Sequence, residues 1–299
     1  MRSPHPSPRL FRPIIGAVSD PVRSRSRPAE PSAADPAALP DLGEVIRAGE
    51  WRRALAVSRL NAADPNLQEA LETVFRFQET VRARRYPSAR RALADYREAL
   101  AGGGDAAELS VLRRAADPDA LGAALDALTA HLKEPDPEVL AAGLAPALAQ
   151  PLTRAEALNI QGVLLALQGE SAGARALFET ALEADPGHYR ALTNLGNLDI
   201  ESGDHAGAEA RYREVIRLNP EYDGGHHNLG VALRRQGKMG EAVRSIRRGQ
   251  RLGMKRSKED ADAEVKAQFA GNPLFRGLRW VLLAVVILVL FLALRGAVT

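Results

Sequence analysis

The 299-residue chain contains no cysteine. That excludes a disulfide framework, a zinc–thiolate site and a thiol nucleophile. Aromatic side chains make up only 5% of it, so no stacking platform for nucleic-acid bases is visible. No long β-branched alternation occurs outside the C-terminus, and the abundance of alanine, leucine and arginine favours helix. Charge of one sign is nearly absent in the balance: 40 basic against 37 acidic residues leave a formal charge of +3, which demands no nucleic-acid partner. Catalytic signatures are missing as well. There is no glycine-rich phosphate loop ending in Lys-Ser/Thr and no Gly-x-Ser-x-Gly elbow. Gly102–Gly104 run into Asp105 and read as a linker. His226 and His227 are adjacent, and neighbours on a helix point about 100° apart, so the pair cannot chelate one ion unaided. The sequence implies no enzyme, no cofactor and no metal.

What is present is a repeat. Between 155 and 256 three stretches recur with a 34-residue step. Gly162, Gly196 and Gly230 share one phase, Ala174, Ala208 and Ala242 a second, and Phe178, Tyr212 and Ile246 a third. Pro186 and Pro220 close the first two periods, and Met254 stands at the third. A repeat of this length is one supersecondary unit stacked on its neighbours. Two helices approach closely only where side chains are small, so the glycine and alanine phases mark the crossing of helical runs at 156–168 and 171–184. Leu158, Leu165, Phe178, Ala181 and Leu182 form the buried stripes. Gly169 turns the chain between the helices, and Asp185-Pro186 and Asn219-Pro220 end units.

These residues resemble the tetratricopeptide repeat family. The match rests on Gly162, Leu165, Ala174, Phe178, Ala181 and Pro186, then Leu195, Gly196, Ala208, Tyr212 and Pro220, then Leu229, Gly230, Leu233, Ala242 and Ile246. The third unit departs late, with Gly249 at the position of Ala181 and no closing proline. The resemblance implies that the first helix of each unit lines a concave, peptide-binding groove. The groove positions are then Glu156, Asn159, Ile160 and Val163; Arg190, Thr193, Asn194 and Asn197; and His227, Asn228, Val231 and Arg234. Asn194 and Asn228 lie one step apart and are expected to form a two-rung ladder gripping peptide backbone, since an amide offers both a donor and an acceptor. Arg190, His227, Arg234 and Arg235 add positive charge toward acidic groups. Some family members clamp a C-terminal carboxylate. Asn197, Asn228 and Lys258 fit that pattern, whereas Thr193 and Asp262 depart from it and leave the clamp incomplete.

In chain order, 1–40 reads as a disordered Pro/Ser/Arg-rich tail, too poor in large apolar residues to offset its ordering entropy. Residues 41–152 read as a diverged helical repeat region, with Ser88 as the N-cap of a helix after Pro87 and with Pro118, Pro135, Pro137 and Pro151 as punctuation. Three tetratricopeptide repeats follow at 153–256, then a charged capping helix and linker at 257–273. Residues 280–294 carry no charge, and about 20 apolar residues span a bilayer. The expectation is a transmembrane tail anchor at 274–299 carried by Trp280, Leu283, Val286, Leu290 and Leu294. The basic residues before it place 1–279 on the cytoplasmic side.

The expected fold is all-α, a tetratricopeptide-type helical-hairpin solenoid plus one C-terminal transmembrane helix. The expected function is a membrane-anchored scaffold that recruits a protein or peptide partner, with an acidic one favoured, through Arg190, Thr193, Asn194, Asn197, His227, Asn228, Val231 and Arg234, and that contacts the lipid bilayer through its C-terminal helix. Two other readings stand beside it. One is a membrane-bound enzyme or regulatory subunit with an active region in 66–150. The other is nucleic-acid binding through the arginine-rich tail.

Overall fold

The computed structural model describes residues 40–102 and 107–271. Every element among them is helical. The tail assigned to 1–40, apart from Pro40, falls outside the described residues.

Three Asp-Pro pairs both punctuate the chain and open the helix that follows. Asp64, Asp117 and Asp136 precede α3 (Pro65–Arg82), α6 (Pro118–Ala130) and α7 (Pro137–Gly143), and each aspartate accepts the next free amide N–H groups. Proline suits the first helical position because its missing N–H would have no partner there. Pro151 likewise starts α9 (Pro151–Leu167), five residues before the expected run. Pro87 lies within the first turn of α4 (Tyr86–Gly102), so Ser88 is inside the helix and is not its N-cap.

The repeats are three antiparallel pairs: α9 with α10 (Ser171–Ala184), α11 (Tyr189–Ser202) with α12 (His205–Leu218), and α13 (Asp223–Arg235) with α14 (Met239–Gly271). Each helix packs on the next, as a stacked repeat requires. The crossings are where the sequence puts them. A Cβ built on Gly162 would lie 2.6 Å from the Phe178 ring, and one on Gly196 would lie 2.7 Å from Tyr212. Gly230 faces Ile246 in the same way. Gly169, Gly203 and Gly237 turn the chain with φ of 84°, 85° and 78°, a region that glycine occupies at little cost.

The preceding helices do not stack only on their neighbours. α1 (Leu42–Arg47) packs on α5 (Ala107–Ala115), α4 packs on α6, and α3 and α6 both reach α9. α2 (Trp51–Leu60), α7 and α8 (Ala145–Ala149) complete this part. One apolar cluster runs from Leu42 through Phe77, Tyr96 and Leu128 to Ala157 and Ile160 of α9. The first repeat helix is thus a wall of this core as well as the start of the array.

The expected transmembrane helix is corrected. No helix among the described residues is long and apolar enough to cross a membrane. The one that leads toward the C-terminus, α14, carries Arg244, Arg247, Arg248, Arg251, Lys255 and Arg256 on successive turns, and charge at that density cannot enter hydrocarbon. Trp280, Leu283, Val286, Leu290 and Leu294 lie outside the described residues. The single-pass membrane localisation, the cytoplasmic placement of 1–279 and the lipid-bilayer partner all rested on that helix and are withdrawn with it.

Candidate functional site: the first-helix face of the repeats

The first helices α9, α11 and α13 present the expected groove positions, but the first third of that face is closed. Glu156, Asn159 and Ile160 are buried, and Ile160 belongs to the core shared with the preceding helices. The closure comes from the turn between α3 and α4. Arg84 stands there at φ 56°, a left-handed conformation uncommon for a residue with a Cβ. It donates from Nε to Glu156 Oε1, and the Tyr86 hydroxyl donates to the same oxygen at 3.1 Å.

His188 completes the cage. Its Nδ1 accepts the backbone N–H of Ala191 at 3.2 Å, capping α11. Nδ1 therefore carries no proton, and the Nε2–H donates to Glu156 Oε2 at 3.0 Å. Burial pushes the Glu156 carboxyl up, and Arg84, His188 and Arg190 outweigh it, so the group sits below the ordinary carboxylate value and stays ionised. Burial, with the Glu156 charge, pushes the Tyr86 phenol far up. A second tie lies alongside. Arg82 grips Asp185 through two parallel bonds, Nε to Oδ2 at 2.7 Å and Nη2 to Oδ1 at 2.5 Å. Its side chain is 16% exposed and that of Asp185 8%, so the pair is largely dry.

The asparagines bond to one another across repeats. Asn194 donates to Asn159 Oδ1 at 2.8 Å. Asn228 donates to Asn197 Oδ1 at 3.0 Å, which also accepts from the Tyr212 hydroxyl at 2.8 Å. Asn194 and Asn228 therefore do form rungs, but each rung joins one unit to the unit before it. Asn194, Asn197 and Asn228 remain half-exposed and keep further hydrogen-bonding capacity. Thr193 is buried and donates to Tyr189 O at 2.7 Å. Arg190 and Val231 are half-buried, while His227 and Arg234 are exposed. The open part of the face is the stretch from Arg190 to Arg234 on α11 and α13.

The opposite side is held by charge. Asp199 accepts from Arg175 at 2.8 Å and from Arg211 at 2.6 Å. Glu209 accepts from Lys238 at 2.7 Å, from Gln236 at 2.8 Å and from Arg213 at 2.6 Å. These contacts join α10 to α11 and α12 to the α13–α14 turn.

The sequence reading missed Arg84, Tyr86, His188, Arg82 and the second role of Asp185. Their partners lie 72, 70, 32 and 103 residues away, beyond any local pattern.

Residues 165–211 match the family model described as tetratricopeptide repeat. Residues 196–237 match a second, described as TPR repeat. Both describe a repeat and neither a catalytic domain. No curated protein matches the chain. Among solved structures it is similar to one described as the crystal structure of MamA protein, at 17% identity and a TM-score of 0.37, over 64% of this chain and 95% of that one. A second MamA structure is similar at 18% identity and a TM-score of 0.33, over 73% of this chain and 98% of that one. Among the described residues no group of three or more His, Cys, Asp or Glu could hold a metal ion.

Proposed function

We propose that the chain is a non-catalytic scaffold that binds an extended segment of a partner protein on the open face of α11 and α13. The observation that carries this reading is the half-exposed row Asn194, Asn197 and Asn228, flanked by the exposed His227 and Arg234. The rungs hold each amide in place through one of its groups and leave each residue half-exposed. A preorganised amide meets peptide backbone without first losing rotamer freedom. Thr193, buried and already bonded, supports α11 and lies beneath the contact surface. Glu156, Asn159 and Ile160 drop out of the surface because the chain covers them itself.

A photoreactive amino acid at Val231 tests the reading, with one at the exposed Arg217 on α12 as the control. The expected result is crosslinking to a discrete protein from Val231 alone. Equal crosslinking from both positions would remove α11 and α13 as the binding face.

A further inference from the structure

A cleft of about 520 Å³ opens where the α3–α4 turn meets the starts of α11 and α13. Its walls include Thr80, Arg85, Tyr189, Arg190, Asn219 and Tyr222. Two of the three arginines that line it, Arg85 and Arg190, are not matched. Glu79, on the rim, is taken by Arg82, and Glu221 is taken by Arg248 and Lys255. Arg256 is paired with Asp223. Arg85 and Arg190 make no side-chain hydrogen bond or ion pair to any described residue. Arg190 is the more telling of the two, since its Nε is buried with no partner. Native structures rarely leave a buried donor unmade. The carboxylate whose field it shares, Glu156, is already held by Arg84 and His188.

Aromatic rings fix the position of that arginine. Its guanidinium lies 5.9 Å from the centre of the Tyr222 ring, a cation–π distance. Tyr222 packs at 4.9 Å on Tyr189. The cation is therefore oriented in advance, as a carboxylate receptor requires. Arg190 also stands four and seven residues before Asn194 and Asn197 on α11, which places all three on one face.

We propose that this cleft receives the carboxylate of an acidic side chain in the partner segment, with Arg190 and Arg85 as its ligands. The proposal deepens the scaffold reading and rests on it, because the segment leaving the cleft continues over Asn194 and Asn197. Charge complementarity selects the occupant: two unmatched guanidinium groups beside polar Asn219 and Thr80 favour an anionic peptide over an apolar one.

The test uses fluorescein-labelled hexaglutamate and fluorescence anisotropy at low salt, with labelled hexaglutamine as the control. The intact protein is expected to bind hexaglutamate saturably and hexaglutamine not at all. Arg85→Gln changes an exposed residue, and Arg190→Lys keeps the charge while losing the fork. Together they are expected to weaken binding about tenfold or more, roughly 1.4 kcal/mol, with the helical circular dichroism signal unchanged. His227→Ala with Arg234→Gln reports on the groove. Loss in that pair with no change on altering Arg85 and Arg190 would overturn the cleft and leave the groove standing. The reverse pattern would support the cleft and show that the segment leaving it over Asn194 and Asn197 does not depend on His227 and Arg234. No saturable binding of hexaglutamate, or complete displacement of it by inorganic phosphate at an equal concentration of anionic groups, would overturn the proposal.

Discussion

His188 and Glu156 share a hydrogen bond of 3.0 Å in the interior, and the direction of that bond is fixed by a third group. Because the Ala191 amide must donate to His188 Nδ1, the imidazole is a neutral Nε2–H tautomer. Arg84 is the cation bonded to Glu156, while the histidine supplies a second hydrogen bond and a cap. The sequence of this region encodes a docking joint that looks, residue by residue, like a turn followed by a helix start.

Glu156→Gln should destabilise the protein by about 3 kcal/mol, since it leaves the largely buried Arg84 without its counter-charge. Urea unfolding of the variant against the natural chain measures this. A midpoint within error of the natural one would show that solvent, and not Glu156, balances Arg84.

Substitution at the two rungs should be unequal. Among the described residues Asn194 is the only donor to the buried Asn159 Oδ1, so Asn194→Ala should cost about 1–3 kcal/mol. Asn228→Ala leaves Asn197 Oδ1 still bonded to Tyr212, so its cost should stay below about 1 kcal/mol. Thermal melts of the two single variants decide the order, and a larger loss at Asn228 would contradict it.

Gly196→Ala should lower stability by roughly 1–3 kcal/mol, because the added methyl meets the wholly buried Tyr212 ring. A melting temperature unchanged from the natural chain would show that the helices part there at no cost.

Acid should loosen the contact between α12 and the α13–α14 turn. Bonding from Lys238, opposed by burial and reinforced by Arg213 and Gln236, holds the Glu209 carboxyl at about 2, against an ordinary 4.5. The unfolded chain takes up that proton first as pH falls. The stabilisation is thus complete above about pH 5 and is lost as pH falls toward 2. Chemical unfolding measured across that window should show a decline that is shallower in Lys238→Met. Identical pH profiles for the two proteins would remove Lys238 as the cause.

The 34-residue step was legible because each unit solves the same packing problem with the same residues. Gly196 against Tyr212 is the problem of Gly162 against Phe178 restated one period later. The face of the first helices was half legible. Asn194 and Asn228 were found by their spacing, but spacing cannot say whether an amide faces a ligand or the unit behind it. The helices before α9 were legible only as helices, since their contacts skip neighbours, as α1 on α5 does. Asp-Pro was legible as a boundary but not as a cap. Proline stops the helix before it, and at Asp64-Pro65 and Asp117-Pro118 the same pair supplies the cap and first residue of the helix that follows. The apolar run near the C-terminus matched the length of a bilayer, and no described helix answers to it.

The ties from Arg82 to Asp185 and from Arg84 to Glu156 set a limit on how this array can grow. A helical repeat can in principle gain or lose a unit anywhere, because each touches only its neighbours. An extra pair inserted just before α9 would carry Glu156 and Asp185 one step away from the two arginines and strand four charges. An extra pair inserted between α12 and α13 would leave all four in register. Duplication is therefore confined to the side away from α3, and the first repeat behaves as a foundation stone that cannot be copied in place.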